Sequence, residues 1–204
     1  MVSIDTVIFD LGGVLIDWDP KALFRTEFAD EESLEVFLAE TDFWERNYEH
    51  DTGNDWQKHV DEIVVSHPHF AAIFASYEHR FQDALVGTIP GSLDVLAELH
   101  ELPIRLLALT NFAAPRLDQT LPVFPWLEWF DEIVASGKEG FGKPDPRIYQ
   151  VLIERLGVDP AKSVFIDDRI ENVTSAIDAG FSAIHFTDSE SLRDDLVVLG
   201  VLPG

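Results

Sequence analysis

The stretch Ile4-Asp5-Thr6-Val7-Ile8-Phe9-Asp10-Leu11-Gly12-Gly13 decides how this chain is read. An apolar, β-branched run from Ile4 to Leu11 stops at two glycines, the pattern of a strand buried on both faces and followed by a sharp turn. Asp10 lies at the end of that run, where such a turn exposes backbone N–H groups beside a carboxylate. An Asp before Gly-Gly is also a common turn former, so both a chemical and a structural reading stay open at this point.

Working outward, further runs of strand length are Ile104–Thr110, Glu132–Ala135, Ser163–Asp167 and Ser182–Phe186. Between them apolar residues recur at helical spacing: Leu93, Leu96, Ala97 and Leu99; Ile148, Val151, Leu152 and Leu156; Val173, Ala176, Ile177 and Ala179. Gly157 and Gly180 stand where glycine ends a helix, and Ser189 reads as the N-cap of a last helix reaching Leu199. Alternating strands and helices predict an α/β fold whose parallel sheet is covered on both faces. The stretch from Pro20 to Val86 breaks the rhythm: it is helical in pattern and shows no convincing strand. It reads as an inserted helical subdomain spanning residues 18–88, with residues 1–17 and 89–204 forming the core. Pro20 and Pro90 punctuate the boundaries near Asp17 and Ile89.

In a doubly wound sheet, ligands bind beyond the carboxyl ends of the strands. Those ends carry Asp10, Thr110-Asn111 and Asp167-Asp168, and a loop after the third strand carries Lys143 between Gly140 and Pro146. Burying Asp167 or Asp168 is costly unless a cation or hydrogen bonds compensate. With Asp10 they form an all-oxygen set suited to magnesium, while one of them can also cap the helix entering at Arg169, together with Asn172. The Lys143 ammonium suits a phosphate or a neighbouring carboxylate, although a lone loop lysine is usually solvated. Thr110 and Asn111 offer a hydroxyl and an amide to a phosphoryl oxygen, or to ordinary turn chemistry.

The 204 residues include 38 Asp and Glu against 14 Lys and Arg, a formal charge of −24. Such a field repels polyanions, which argues against nucleic acid and anionic membrane as partners and requires a local cation to capture any anionic substrate. The acidity also serves solubility; adaptation to high salt is the other reading, and the 11% of aromatics speaks against it. With no cysteine, thiolate catalysis, disulfides and Cys-based metal sites are excluded. The N-terminal segment lacks a basic region followed by an apolar stretch, and no run reaches the ~18 apolar residues of a membrane span. The expectation is a cytoplasmic protein, a monomer or small homo-oligomer, acting on a small phosphorylated metabolite.

The motifs FDLGGVL (residues 9–15), LTN (109–111), GKPDPRIY (142–149) and FIDDRIEN (165–172) occur in this order. As an ordered set they resemble the haloacid dehalogenase superfamily of hydrolases, in the group with a helical cap between the first two motifs. DLGGVLIDWDP is similar to bacterial glucose-1-phosphate-type phosphatases. The resemblance implies a Rossmann-like core, a cap that closes over the site, and Asp10 as a nucleophile that forms an aspartyl-phosphate. It implies Mg²⁺ held by Asp10, the Gly12 carbonyl, Asp167 and Asp168. Lys143 is implied as a catalytic residue, and the phosphoryl group falls to Lys143 and Thr110, with Asn111, Leu11 and Gly12 completing the substrate site. The same resemblance leaves two alternatives. A 2-haloacid dehalogenase uses the same Asp on carbon without metal, but resembles DLYGT at the first motif and lacks the paired acids. A catalytically weak relative would act in binding or regulation.

One position departs from the family pattern. Phosphatases of this family carry a second Asp two residues after the nucleophile as general acid and base, and here that residue is Gly12. Its absence favours slow turnover, a good leaving group, such as that of a sugar 1-phosphate, or a substitute donor. Asp17, Asp19, His50 and Asp51 are the candidates. The cap stretch Thr41–Gly53 is the expected specificity surface, with Arg46 or His50 placed to meet hydroxyls or a second anion.

Overall fold

The computed structural model describes residues 3–204. Among the described residues seven strands follow one another: β1 Thr6–Phe9, β2 Ile16–Trp18, β3 Leu85–Thr88, β4 Arg105–Thr110, β5 Glu132–Ala135, β6 Ser163–Asp167 and β7 Ser182–His185. Five of them form one parallel sheet in the order β5-β4-β1-β6-β7, so the opening strand lies at its centre. In register, Phe9 faces Ala108 on one side and Ile166 on the other. The residues that follow these pairs therefore emerge at one edge of the sheet.

Side chains alternate across a strand, and the two faces are filled accordingly. Val7, Phe9, Ala108, Val164 and Ile166 pack into one apolar cluster. Ile8, Leu107, Leu109, Val134 and Phe165 pack into the other. The first cluster is closed by helix Ser92–His100, through Val95, Leu96 and Leu99, and by helix Ser189–Val198, through Leu192 and Leu196. The second is closed by Ile148, Tyr149 and Leu152 and by Ala176 of helix Ile170–Asp178. The parallel α/β arrangement expected from the continuous apolar runs is what folds.

The insertion is entered and left through a small antiparallel ribbon in which β2 pairs with β3, Ile16 opposite Thr88 and Asp17 opposite Gly87. Between them lie α1 Pro20–Phe24, α2 Glu31–Glu40, α3 Phe43–Asp51, α4 Trp56–Ser66 and α5 Ala71–His79. Aromatic rings fill their interior: Trp56 stacks on Phe74 at 4.6 Å, and Phe43 meets Tyr77 edge-on at 4.9 Å. These rings belong to the same apolar cluster as the Val7 and Phe9 face of the sheet, so the helical insertion is packed onto the core.

Three local expectations are corrected. The stretch read as free of strand includes Leu85 and Val86 of β3, because a four-residue strand containing Gly87 is too short to show a period. The first strand is shorter than the apolar run that announced it, since Leu11 already belongs to the turn and accepts the backbone N–H groups of Leu15 and Ile16. The last helix is capped by Asp188, whose carboxylate accepts the Ser191 N–H at 2.8 Å; Ser189 is its first helical residue. Gly157 and Gly180 do take the left-handed conformation that ends a helix, with φ of 67° and 97°.

Candidate active site

Asp10 follows β1 directly and is anchored by its own N–H, which donates to Ile166 at 2.8 Å. One carboxylate oxygen accepts the Leu11 N–H at 2.7 Å, and the other lies 2.7 Å from the Lys143 ammonium. That same ammonium lies 2.7 Å from Asp167, so one lysine bridges two strand ends. Lys143 is 2% exposed and Asp167 fully buried. Burial works against the ammonium, but Asp10 and Asp167 outweigh it and raise its pKa above the ordinary lysine value. Burial raises the Asp10 carboxyl above its usual range while Lys143 pulls it down. Burial, with Asp167 beside it, raises Asp168 as well.

Asp167 does two things at once. Its Oδ2 meets Lys143, while its Oδ1 accepts the Arg169 N–H and the Asn172 side-chain amide, both at 2.9 Å. Arg169 is the N-cap residue of helix Ile170–Asp178 and makes no side-chain capping bond, so Asp167 does not cap that helix; it ties the residue ahead of the helix, and Asn172 within it, to the charge cluster. Asn172 is in turn fixed through its carbonyl, which accepts the Tyr149 hydroxyl at 2.9 Å.

Asp10, Asp167 and Asp168 each offer an oxygen, and these oxygens all lie within 4.8 Å of one another. The turn after Asp10 is shaped for this. At Gly13, with φ of +78°, a Cβ would sit 2.6 Å from the Asp168 carboxylate carbon, so no side chain fits there. Gly12 has no neighbour within 4 Å of a Cβ. The space for the second Asp of the family pattern is open, but the residue is missing.

Thr110 ends β4 and is buried at the floor of the cavity. Asn111, expected to help position the phosphoryl group and to orient a neighbour, lines the cavity and is bonded to the lysine loop. Its side-chain oxygen accepts the Lys143 N–H at 2.8 Å and its amide donates to the Lys143 carbonyl at 2.9 Å. Both ends are committed to the loop that carries the lysine, and Gly142 has no Cβ because one would fall 2.6 Å from that Asn111 oxygen.

Above these groups opens a cavity of about 270 Å³. Its floor is Asp10, Gly12, Thr110, Lys143 and Asp168, and its walls include Trp18, Trp44, Tyr48, Phe81 and Phe112. Leu11 is fully buried beside Asp10 and meets the site through its backbone N–H. Of the cap stretch Thr41–Gly53, the cavity is lined by Trp44, Asn47, Tyr48 and Asp51. Arg46 and His50 are turned elsewhere, correcting the expectation for both: Arg46 pairs with Glu62, and His50 donates its Nδ1–H to the Asn54 carbonyl with its other nitrogen 3.3 Å from Glu78.

The sequence reading missed Arg116, which is 1% exposed and also lines the cavity. Its guanidinium lies 2.7 Å from the Asn47 side-chain oxygen, 3.3 Å from Asp51 and 3.1 Å from Glu78, and sits over the rings of Tyr77, Phe81 and Trp56. Arg116 belongs to helix Ala114–Thr120 of the core, whereas its partners belong to α3 and α5 of the insertion. No spacing in the sequence announces a contact between positions 65 residues apart.

Among the described residues no helix is long and apolar enough to cross a membrane. A family model described as haloacid dehalogenase-like hydrolase matches residues 4–180. The chain is 29% identical over 184 residues to a sesquiterpene phosphatase of Aspergillus oryzae, covering 89% of each. It shares its fold with a haloacid dehalogenase family enzyme of Bacteroides thetaiotaomicron solved with magnesium and inorganic phosphate, at 22% identity and a TM-score of 0.70 over 91% of this chain and 96% of that one. An L-2-haloacid dehalogenase of Xanthobacter autotrophicus has the same fold at 23% identity and a TM-score of 0.65, over 98% and 85% of the two chains. With its four motifs gathered at the carboxyl edge of one parallel sheet, the chain belongs to the haloacid dehalogenase-like hydrolases.

Proposed function

We propose that this hydrolase cleaves a small phosphomonoester through an aspartyl-phosphate on Asp10, with Mg²⁺ held by Asp10, Asp167, Asp168 and the Gly12 carbonyl. The observation that carries the reading is the meeting of three carboxylates with one buried ammonium at the floor of a single cavity. An all-oxygen donor set of this kind fits a hard divalent cation. Bound there, the ion supplies electrostatic stabilisation of the charge on the transferring phosphoryl group.

The protein's own residues supply the rest. Asp10 is anchored to the sheet by its backbone N–H and has one carboxylate oxygen held by the Leu11 N–H, which fixes the direction of attack by the other. Its bond to phosphorus forms as the bond to the leaving oxygen breaks, and water then cleaves the acyl phosphate to restore the carboxylate. Lys143 places a positive charge beside the attacked group, and Thr110 lines the same cavity. Asn111 keeps the lysine loop in place. The Bacteroides enzyme of the same fold, with magnesium and inorganic phosphate, and the phosphatase from Aspergillus both support phosphate over a halogenated acid. So does the retention of both Asp167 and Asp168.

The test is release of p-nitrophenol from p-nitrophenyl phosphate with and without Mg²⁺. Turnover that requires Mg²⁺ and disappears in Asp10→Asn is the expected outcome. No turnover in excess Mg²⁺, with release of halide from a 2-haloacid, would overturn it.

A further inference from the structure

We propose that Asp51, reaching from the insertion into the cavity, is the group that delivers a proton to the leaving oxygen and later takes one from water. This rests on the phosphohydrolase reading above. Of the four acidic or imidazole side chains near enough in sequence to replace the missing Asp at position 12, the structure removes three. Asp17 is exposed on β2. Asp19 is spent capping α1, where it accepts the Lys21 N–H at 2.9 Å. His50 is engaged by Asn54 and Glu78 and lines a different cavity. Asp51 alone of the four shares a cavity with Asp10.

The binding of its carboxyl group suits the role. Oδ1 accepts the Ala113 N–H at 3.1 Å and faces Arg116 at 3.3 Å. Oδ2 accepts a single donor, the Asn47 amide at 2.8 Å, which leaves a second lone-pair position on that oxygen for a proton. Ser136 donates to the Asp51 carbonyl, so the residue is fixed by its backbone as well.

The charged surroundings are mixed. Arg116 approaches from the core helix Ala114–Thr120, Glu78 from α5 and His50 from its own helix. On the neighbouring turn Ser136–Glu139, Lys138 is exposed and Glu139 is paired with Arg155. Asp10 and Lys143 lie on the cavity floor. Burial outweighs Arg116 and pushes the Asp51 carboxyl up to about 6, close to where a proton can be both given and recovered.

The steps balance. As Asp10 bonds to phosphorus and the ester P–O bond breaks, the Asp51 proton passes to the departing oxygen, giving the alcohol and an Asp51 carboxylate beside Arg116. In the second half that carboxylate removes a proton from the water that attacks phosphorus, the Asp10–phosphorus bond breaks, and inorganic phosphate leaves with both carboxyl groups restored.

The experiment compares Asp51→Asn with the wild-type chain, in excess Mg²⁺, on p-nitrophenyl phosphate and on an alkyl phosphate whose poor leaving group needs a proton. The expected result is a fall of kcat on both esters, because the attack of water is common to them, and a loss of kcat/KM, which ends with departure of the leaving group, at least tenfold larger on the alkyl ester than on p-nitrophenyl phosphate. The fall of the wild-type alkyl rate above pH 6 should vanish in the variant. Equal losses of kcat/KM on both esters would assign Asp51 a purely structural role and overturn the proposal. If Asp51→Asn does not fold, the wild-type chain still decides: across aryl phosphates of rising leaving-group pKa its kcat/KM should change little, and a steep decline overturns the proposal. Wild-type turnover of p-nitrophenyl phosphate separately reports whether the phosphohydrolase reading stands.

Discussion

Asn111 holds Lys143 by both ends of its amide, accepting from the lysine N–H and donating to the lysine carbonyl. The bridge between Asp10 and Asp167 thus depends on a side chain that touches neither carboxylate. Asn111→Asp places a second acceptor against the Lys143 carbonyl, and leaving a buried carbonyl unpaired costs about 1–3 kcal/mol. Turnover of p-nitrophenyl phosphate should fall at least tenfold; a wild-type rate would show that the lysine loop needs no such hold.

Gly12 and Gly13 should respond in opposite ways. A Cβ at Gly13 collides with Asp168, so Gly13→Ala should abolish Mg²⁺-dependent turnover, whereas Gly12→Ala meets open space and should retain most of it. Steady-state rates of the two variants, with circular dichroism to verify folding, check this. Comparable damage from both would contradict the placement of Asp168.

Burial of Asp51 sets a pH dependence of stability. Its folded pKa of about 6 lies above the ordinary 3.8, so the folded state binds its proton more tightly. The resulting stabilisation is complete below pH 4 and is lost as pH rises through 6, a loss of about 3 kcal/mol. The Asn variant does not titrate. In urea unfolding, the stability of the wild type relative to Asp51→Asn should therefore decline between pH 4 and pH 7, and a constant difference would refute the assignment.

Arg116 ties the core to the insertion, and removing it strands Asp51 and Glu78 without their cation. Breaking a buried pair from one side costs about 3–5 kcal/mol. Arg116→Met should lower the urea midpoint by a corresponding amount, with an unchanged midpoint as the contrary result.

The net charge of −24 opposes the approach of any phosphate. Moderate salt screens that repulsion, with a Debye length of about 8 Å at physiological ionic strength. KM for a phosphate ester should fall as salt is raised from low values; a flat response would mean that the global field does not reach the cavity.

How far the sequence could be read follows from the range of the interactions. The parallel sheet was legible because strands buried on both faces are written as continuous apolar runs, and the carboxyl ends of those runs held Asp10, Thr110 and Asp167 in plain view. The ribbon of β2 and β3 was not legible, since three or four residues carry no period. That the Asn111 amide orients a neighbour could be read from its place past a strand, but not which one, the lysine loop 32 residues away. Arg116 gave no local signal at all, because its aromatic and acidic partners come from α3, α4 and α5 of the insertion and the turn that follows them.

The bridging ammonium of Lys143 has a further consequence for a molecule so rich in acid. With all carboxylates ionised, the triad of Asp10, Asp167 and Asp168 together with Lys143 carries two net negative charges. One divalent cation brings that sum to zero. An incoming phosphate dianion then meets a locally neutral seat inside a strongly anionic protein, and Lys143 is the internal counter-ion that makes the arithmetic close.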